Sequence, residues 1–146
     1  MALDPIRFIT QHQSGILSTH SQRYPGFPFG SVVPYVISPS GQVAIFISQL
    51  AEHTKNILID NKVALTISET DDHDNPVAQA RLTLLANAVV SQQQAALRAL
   101  YQQHFHDADT ILSLAGFQFF ELELVAVRLI AGFGEIAWIS PDDIDL

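Results

Sequence analysis

The chain has 146 residues, 48% of them hydrophobic, a length and apolar content that suit a single domain, 1–146, with a sizeable core. Formal net charge is −8, with 7 Lys and Arg against 15 Asp and Glu, so there is no dense positive face for a nucleic-acid backbone. The absence of cysteine excludes disulfides and thiolate metal sites and suits a reducing compartment, with cytoplasm the expectation. No apolar run reaches the length of a membrane span, and MALDPIRFITQHQ lacks the basic and apolar regions of a secretory signal.

Asp4 is placed to cap a first helix with Pro5 at its first position, and Ile6, Phe8 and Ile9 supply its apolar contacts. Gly15 to Thr19 is short and β-like, and Pro25-Gly26 and Pro28 mark a loop from His20 to Phe29. Ser31, Val32 and Val33 begin a second strand that ends at Ile37. Pro34 interrupts it and has no N–H to donate, which places it at an edge, a bulge or a split in a barrel. After the turn signal Pro39-Ser40-Gly41, Val43 to Ser48 is apolar on both faces. Such a strand is covered twice; a barrel interior gives one cover, and a second subunit is a candidate for the other.

A short helix is expected from about His53 to Asp60, with Ile57 and Leu58 facing the core and Asn61 ending it in the left-handed conformation. Thr54, Lys55 and Asn56 lie near its start. Free N–H groups, the helix dipole, a hydroxyl and an ammonium converge there, a combination suited to an anion such as phosphate. The same spacing also describes an ordinary solvated lysine.

Val63, Leu65 and Ile67 alternate with Ala64, Thr66 and Ser68 as a half-buried strand, and Glu69 to Pro76 is a polar loop. Ala80 to Val90 is a long strand with Leu82, Leu84, Ala86 and Ala88 opposite Arg81, Thr83 and Asn87. Ser91 is expected to cap a helix that runs to about Phe105, with Leu97, Leu100 and Tyr101 on its apolar face. A last long strand starts at Gln118. Its alternation reverses between Leu124 and Val127, so one extra residue near Val125 predicts a bulge. Gly132-Phe133-Gly134 then turns the chain into Glu135–Ile139. The acidic runs Asp71-Asp72-His73-Asp74 and Asp142-Asp143-Ile144-Asp145 read as a solvated loop and tail.

The succession GSVVPYV, hairpin, FISQLAEHTKN, the strand Val63–Ser68 and ARLTLLANA resembles the pyridoxamine 5′-phosphate oxidase-like FMN-binding split-barrel flavoproteins. Within them it is most similar to the branch that includes the haem-utilisation proteins. The similarity runs from about Gly15 to Trp138, and PFGSVVPY, LAEHTKN and GFGEIAW are its specific parts. The resemblance implies a mainly β (α+β) fold, a split β-barrel of about six antiparallel strands with short flanking helices. It also implies a homodimer with FMN lying across the subunit boundary.

By position, the resemblance puts Ser31 where many relatives carry a phosphate-binding arginine. It draws Val32, Val33 and Pro34 along the isoalloxazine or ribityl chain, and brings Ile47 and Ser48 beside the ligand. Thr54 and Lys55 match a phosphate-holding pair that is often Arg-Lys in relatives. Arg81 matches a residue that approaches the ring, typically from the other subunit. Trp138 lies near a residue that closes the pocket, or is a core or interface aromatic. Pyridoxamine phosphate oxidases hold their substrate with Arg and His near the C-terminus; GEIAWISPDDIDL has neither, so that substrate is not expected.

Haem is the alternative cofactor. The haem-utilisation relatives take their iron ligand from a C-terminal extension that lies beyond this sequence. His12, His20, His53, His73, His104 and His106 remain, and each is more commonly a surface residue than an axial ligand. His104 to Asp109 has no metal-motif spacing, so no metal site is expected. No G-x-S-x-G elbow occurs, and Gly132-x-Gly134 precedes a strand, so neither a hydrolase triad nor a dinucleotide fingerprint is present. No side chain stands out as a catalytic acid or base.

Three functions remain open from sequence. The first is an FMN-dependent oxidoreductase of unknown substrate, its redox chemistry supplied by the flavin. The second is a haem-binding or haem-degrading barrel. The third is a non-catalytic dimeric module that has lost the flavin, which Ser31 in place of arginine favours.

Overall fold

The structure, a computed structural model, describes residues 3–69, 75–114, 116–132 and 134–146. The acidic run at 71–74, with His73, therefore lies outside the described residues, as does Phe133 of the expected turn. Helix α1 (Pro5–Gln11) opens as its sequence dictates: the Asp4 carboxylate accepts from the N–H groups of Ile6 and Arg7, with Pro5 in the first turn. Strands β1 (Ser14–His20), β2 (Pro28–Ile37) and β3 (Val43–Ser48) follow, then helix α2 (Glu52–Ile59) and strands β4 (Lys62–Ser68) and β5 (Ala80–Val90). Helices α3 (Gln94–His104) and α4 (Ala108–Leu112) lead to β6 (Phe117–Ala131) and β7 (Ile136–Ile139).

The strand order is β3-β2-β1-β4-β5-β6-β7, and β3 also pairs with β6. That extra pairing closes six antiparallel strands into a barrel and leaves β7 outside it on β6. The split barrel expected from the resemblance is the fold. Closure follows from alternation: Leu17, Val33, Leu65, Leu84 and Val127 all point inward and are almost wholly buried, and a curled sheet is the way to hide one apolar face without a partner sheet. Phe8 and Ile9 of α1 pack into the same core. The buried Tyr35 hydroxyl donates to the Ile9 carbonyl at 2.6 Å, and burial pushes its pKa well above the ordinary tyrosine value.

Pro34 marks the point where β2 changes partner. Pro28 to Pro34 pair with β1, whereas Tyr35 to Ile37 pair with β3. The missing N–H thus falls at the split, one of the positions its chemistry allows. The expected bulge is present: Leu85 pairs with Ala126 and Ala86 with Leu124, so Val125 is the extra residue. It preserves inward burial on both sides of the shift, with Leu122 before it and Val127 and Leu129 after it.

The doubly apolar β3 is covered twice within one chain. Val43, Ile45 and Ile47 face the barrel core. Ala44 and Phe46 face a second cluster with Leu97, Tyr101, Ala108 and Phe119, built on α3, α4 and β6. A second subunit is therefore not what covers this strand. Three local expectations also change. Leu58 is 65% exposed, because the eight-residue α2 buries only the face that carries Thr54, Asn56 and Ile57. No non-glycine residue among those described has positive φ, so Asn61 does not form a left-handed cap, and Asp60 ends α2 in extended backbone. Ser91 precedes α3 by more than a cap position; its hydroxyl accepts from the N–H of Gln93, at the helix N-cap. Among the described residues, no helix is long and apolar enough to cross a membrane.

Candidate functional site

Helix α2 packs against β1 and β2 beside the split, and buried polar side chains bolt it there. Asn56 Nδ2 donates to Thr19 Oγ1 at 2.9 Å, and Asn56 Oδ1 accepts from the Gln22 N–H at 2.9 Å. Thr54, only 1% exposed, donates its hydroxyl to the Ser48 carbonyl at 2.5 Å. Ser31 lies opposite Leu17 in the β1–β2 register, on the side that α2 covers. Its Oγ is 2.9 Å from His53 Nδ1. His53 Nε2 is buried without a hydrogen-bond partner, and burial lowers the His53 pKa below the ordinary histidine value.

The site residues expected from sequence fall into three places. Ser31, Ser48 and Thr54 meet around the start of α2, with Lys55 exposed on its first turns. Val33 and Ile47 are buried in the barrel core, with Pro34 at the split. Val32, Arg81 and Trp138 lie on the outer sheet face. There, Val32, Ile16, Thr66, Thr83, Arg128 and Trp138 form one register row across six strands. Val32 is 71% and Trp138 61% exposed at its two ends. The Arg128 guanidinium lies 5.0 Å above the Trp138 ring. Arg81 donates to the carbonyls of Val77 and Gln79, in the turn just before its own strand.

This geometry bears on a flavin phosphate. Two hydroxyls placed by the resemblance beside that phosphate are already engaged, Ser31 with His53 and Thr54 with Ser48. What the α2 terminus still offers an anion is the Lys55 ammonium and a first turn whose N-cap, Ala51, contributes no side-chain hydrogen bond. His53 and Asn56 organise this corner; the sequence marks both near the helix start but does not show which segments they tie together. Their signal is weak, since one reads as an ordinary histidine and the other as a helix-start residue.

A second concavity lies on the outer face, an open and mostly apolar groove of about 480 Å³. Its floor is Ser18, Ala64 and Leu85, register partners on β1, β4 and β5. Val125, lifted out of the β6 ladder by the bulge and 58% exposed, forms one wall. His20 and Lys62 stand on the rim. The small side chains Ser18 and Ala64 leave the hollow beside Leu85, and Val125 at the bulge borders it.

A family model described as CREG, beta-barrel matches residues 7–144. The chain belongs to the CREG β-barrel family. Within the curated proteins, it is 35% identical over 120 residues to HOZ, a chloroplastic haem oxygenase of Arabidopsis thaliana. That match covers 81% of this chain and 36% of HOZ, so the chain spans little more than a third of that relative. A haem binding protein from Mycobacterium smegmatis shares the fold with a TM-score of 0.80 at 24% identity, over 97% of this chain and 60% of that one. HutZ from Vibrio cholerae, a haem storage protein, aligns with a TM-score of 0.76 at 23% identity, over 88% of this chain and 95% of its own. The CREG β-barrel thus shares its fold with the haem-utilisation branch that the resemblance singled out, and also with two pyridoxamine or pyridoxine phosphate oxidase-family proteins at TM-scores of 0.66 and 0.61.

Proposed function

We propose that this chain is a haem-binding split-barrel protein that works as a homodimer. The observation that carries the reading is Thr54, whose hydroxyl donates to the Ser48 carbonyl and so is not offered to a flavin phosphate, beside a Ser31 that is hydrogen-bonded to His53. The 35% identity to a haem oxygenase points the same way. Haem, once bound, supplies iron-centred redox and oxygen chemistry; the protein supplies an iron ligand, a dry apolar wall and groups for the propionates.

The dimer rests on the outer face. Ile16 and Val32 at one end of the six-strand row, and Ile136 and Trp138 at the other, leave large apolar side chains exposed there, and exposed apolar surface of that kind marks association surfaces. Light scattering of the purified protein should give twice the chain mass. Val32→Asp or Trp138→Glu should halve it, and a monomeric parent protein would remove this part of the proposal.

The test of the cofactor is a spectrum. Haemin added to the purified protein should give a saturable Soret band, and FMN should bind far more weakly. A second reading, FMN binding, is favoured by Lys55 exposed at the uncapped start of α2. Tight FMN binding that Lys55→Ala abolishes, with no Soret band, would establish it instead. Binding of neither ligand would leave the non-catalytic module.

A further inference from the structure

We propose that the outer-face groove is the haem site, with His20 as the protein's iron ligand and Lys62 pairing with a propionate. This rests on the haem reading above and gives it a location and a donor set. The groove volume of about 480 Å³ lies within the range of pockets that hold cofactor-sized ligands. A porphyrin needs a broad, shallow, apolar bed, and the floor of Ser18, Ala64 and Leu85 has no charged group. An imidazole and an ammonium at one rim complement the ligand's other two chemistries, a metal ion and a pair of carboxylates.

The other described histidines are worse placed. His12 Nδ1 is 2.8 Å from the Phe8 carbonyl, and its ring packs on Phe8. His53 is held by Ser31 with its other nitrogen enclosed. His104 borders a small cleft of about 60 Å³ beside α1, too little for a porphyrin. His106 borders none of the cavities described here. His20 alone among the described histidines lines the large groove.

Val125, the extra residue of the β6 bulge and largely exposed, adds an apolar side chain to the groove lining. This face also adjoins the row of Val32, Ile16 and Trp138 proposed above as the dimer contact, so the ligand would lie at the margin of that contact.

Haemin and iron-free protoporphyrin titrations of the purified full chain test the assignment, with circular dichroism to confirm folding of each variant. His20→Ala should weaken haemin binding about tenfold or more, shift the Soret maximum and change the iron spin state, while leaving iron-free protoporphyrin unaffected. Lys62→Ala should weaken haemin and leave its dimethyl ester unchanged. Ala64→Phe, which fills the bed, should abolish binding of both porphyrins, whereas His106→Ala should change nothing. Wild-type binding that all three groove variants retain would overturn the location and leave the haem reading standing. Equal loss of both porphyrins in His20→Ala would overturn its role as iron ligand. A wild-type protein without a Soret band would overturn the haem reading itself.

Discussion

Ser31 Oγ and His53 Nδ1 lie 2.9 Å apart, joining the open half of β2 to the first turn of α2. Either tautomer of His53 satisfies this contact and leaves Nε2 enclosed and unpaired. Because the histidine is already short of one hydrogen bond, the other is unusually costly to lose. Ser31→Ala should destabilise the protein by about 1–2 kcal/mol, and a double-mutant cycle with His53→Ala should show a coupling of about 1 kcal/mol. Urea unfolding measures both; additive effects would mean that the pair contributes nothing.

The same enclosure sets a pH dependence. The folded-state pKa of His53 is lowered by desolvation, so below the ordinary value of about 6.5 the unfolded chain binds a proton that the folded chain refuses. Stability is therefore fully present above that value and is lost as pH falls from it through the lower folded pKa. Thermal melts of wild type and His53→Asn across that window should diverge, with the wild type losing more on acidification. Parallel curves would contradict the burial of this imidazole.

Asn56 ties α2 to two other segments through one buried amide, donating to Thr19 and accepting from Gln22. Asn56→Ala leaves the Thr19 hydroxyl and the Gln22 N–H without that partner and should cost about 2–3 kcal/mol. Hydrogen exchange should show α2 and the 21–27 loop opening together in this variant, with the barrel strands protected as before. Uniform deprotection of the whole sheet would show instead that α2 is not a separable unit.

Phe46 tests whether the α3 cover is integral to the fold. Its ring stacks on Phe119 at 4.3 Å and lies 4.9 Å from Tyr101. Phe46→Ala should destabilise by about 3–5 kcal/mol, whereas Val43→Ala on the opposite face of the same strand removes less volume and should cost less. Chemical denaturation with tyrosine and tryptophan fluorescence reads both. A small effect at Phe46 would mean that α3 only rests on the barrel.

Local chemistry made much of this fold legible. A period of two on Val63, Leu65 and Ile67, the Asp4-Pro5 start, the proline in β2 and the phase reversal at Val125 are each imposed by neighbours in sequence, and each appears in the structure. The second cover of β3 was not legible, because apolar residues on both faces state that a cover exists without saying which residues provide it. In chain order Phe46 stands 48 positions before Gln94, the nearer end of its α3–α4 cover; in space the β3–β6 pairing brings them together. The candidate sites divide in the same way. Lys55 at a helix start is a local signal, open to reading in one dimension. The Ser31–His53 contact and the groove edged by His20, Lys62 and Val125 join residues from four strands and a helix, and only the order of strands in the sheet and the docking of α2 on it decide which of those side chains meet.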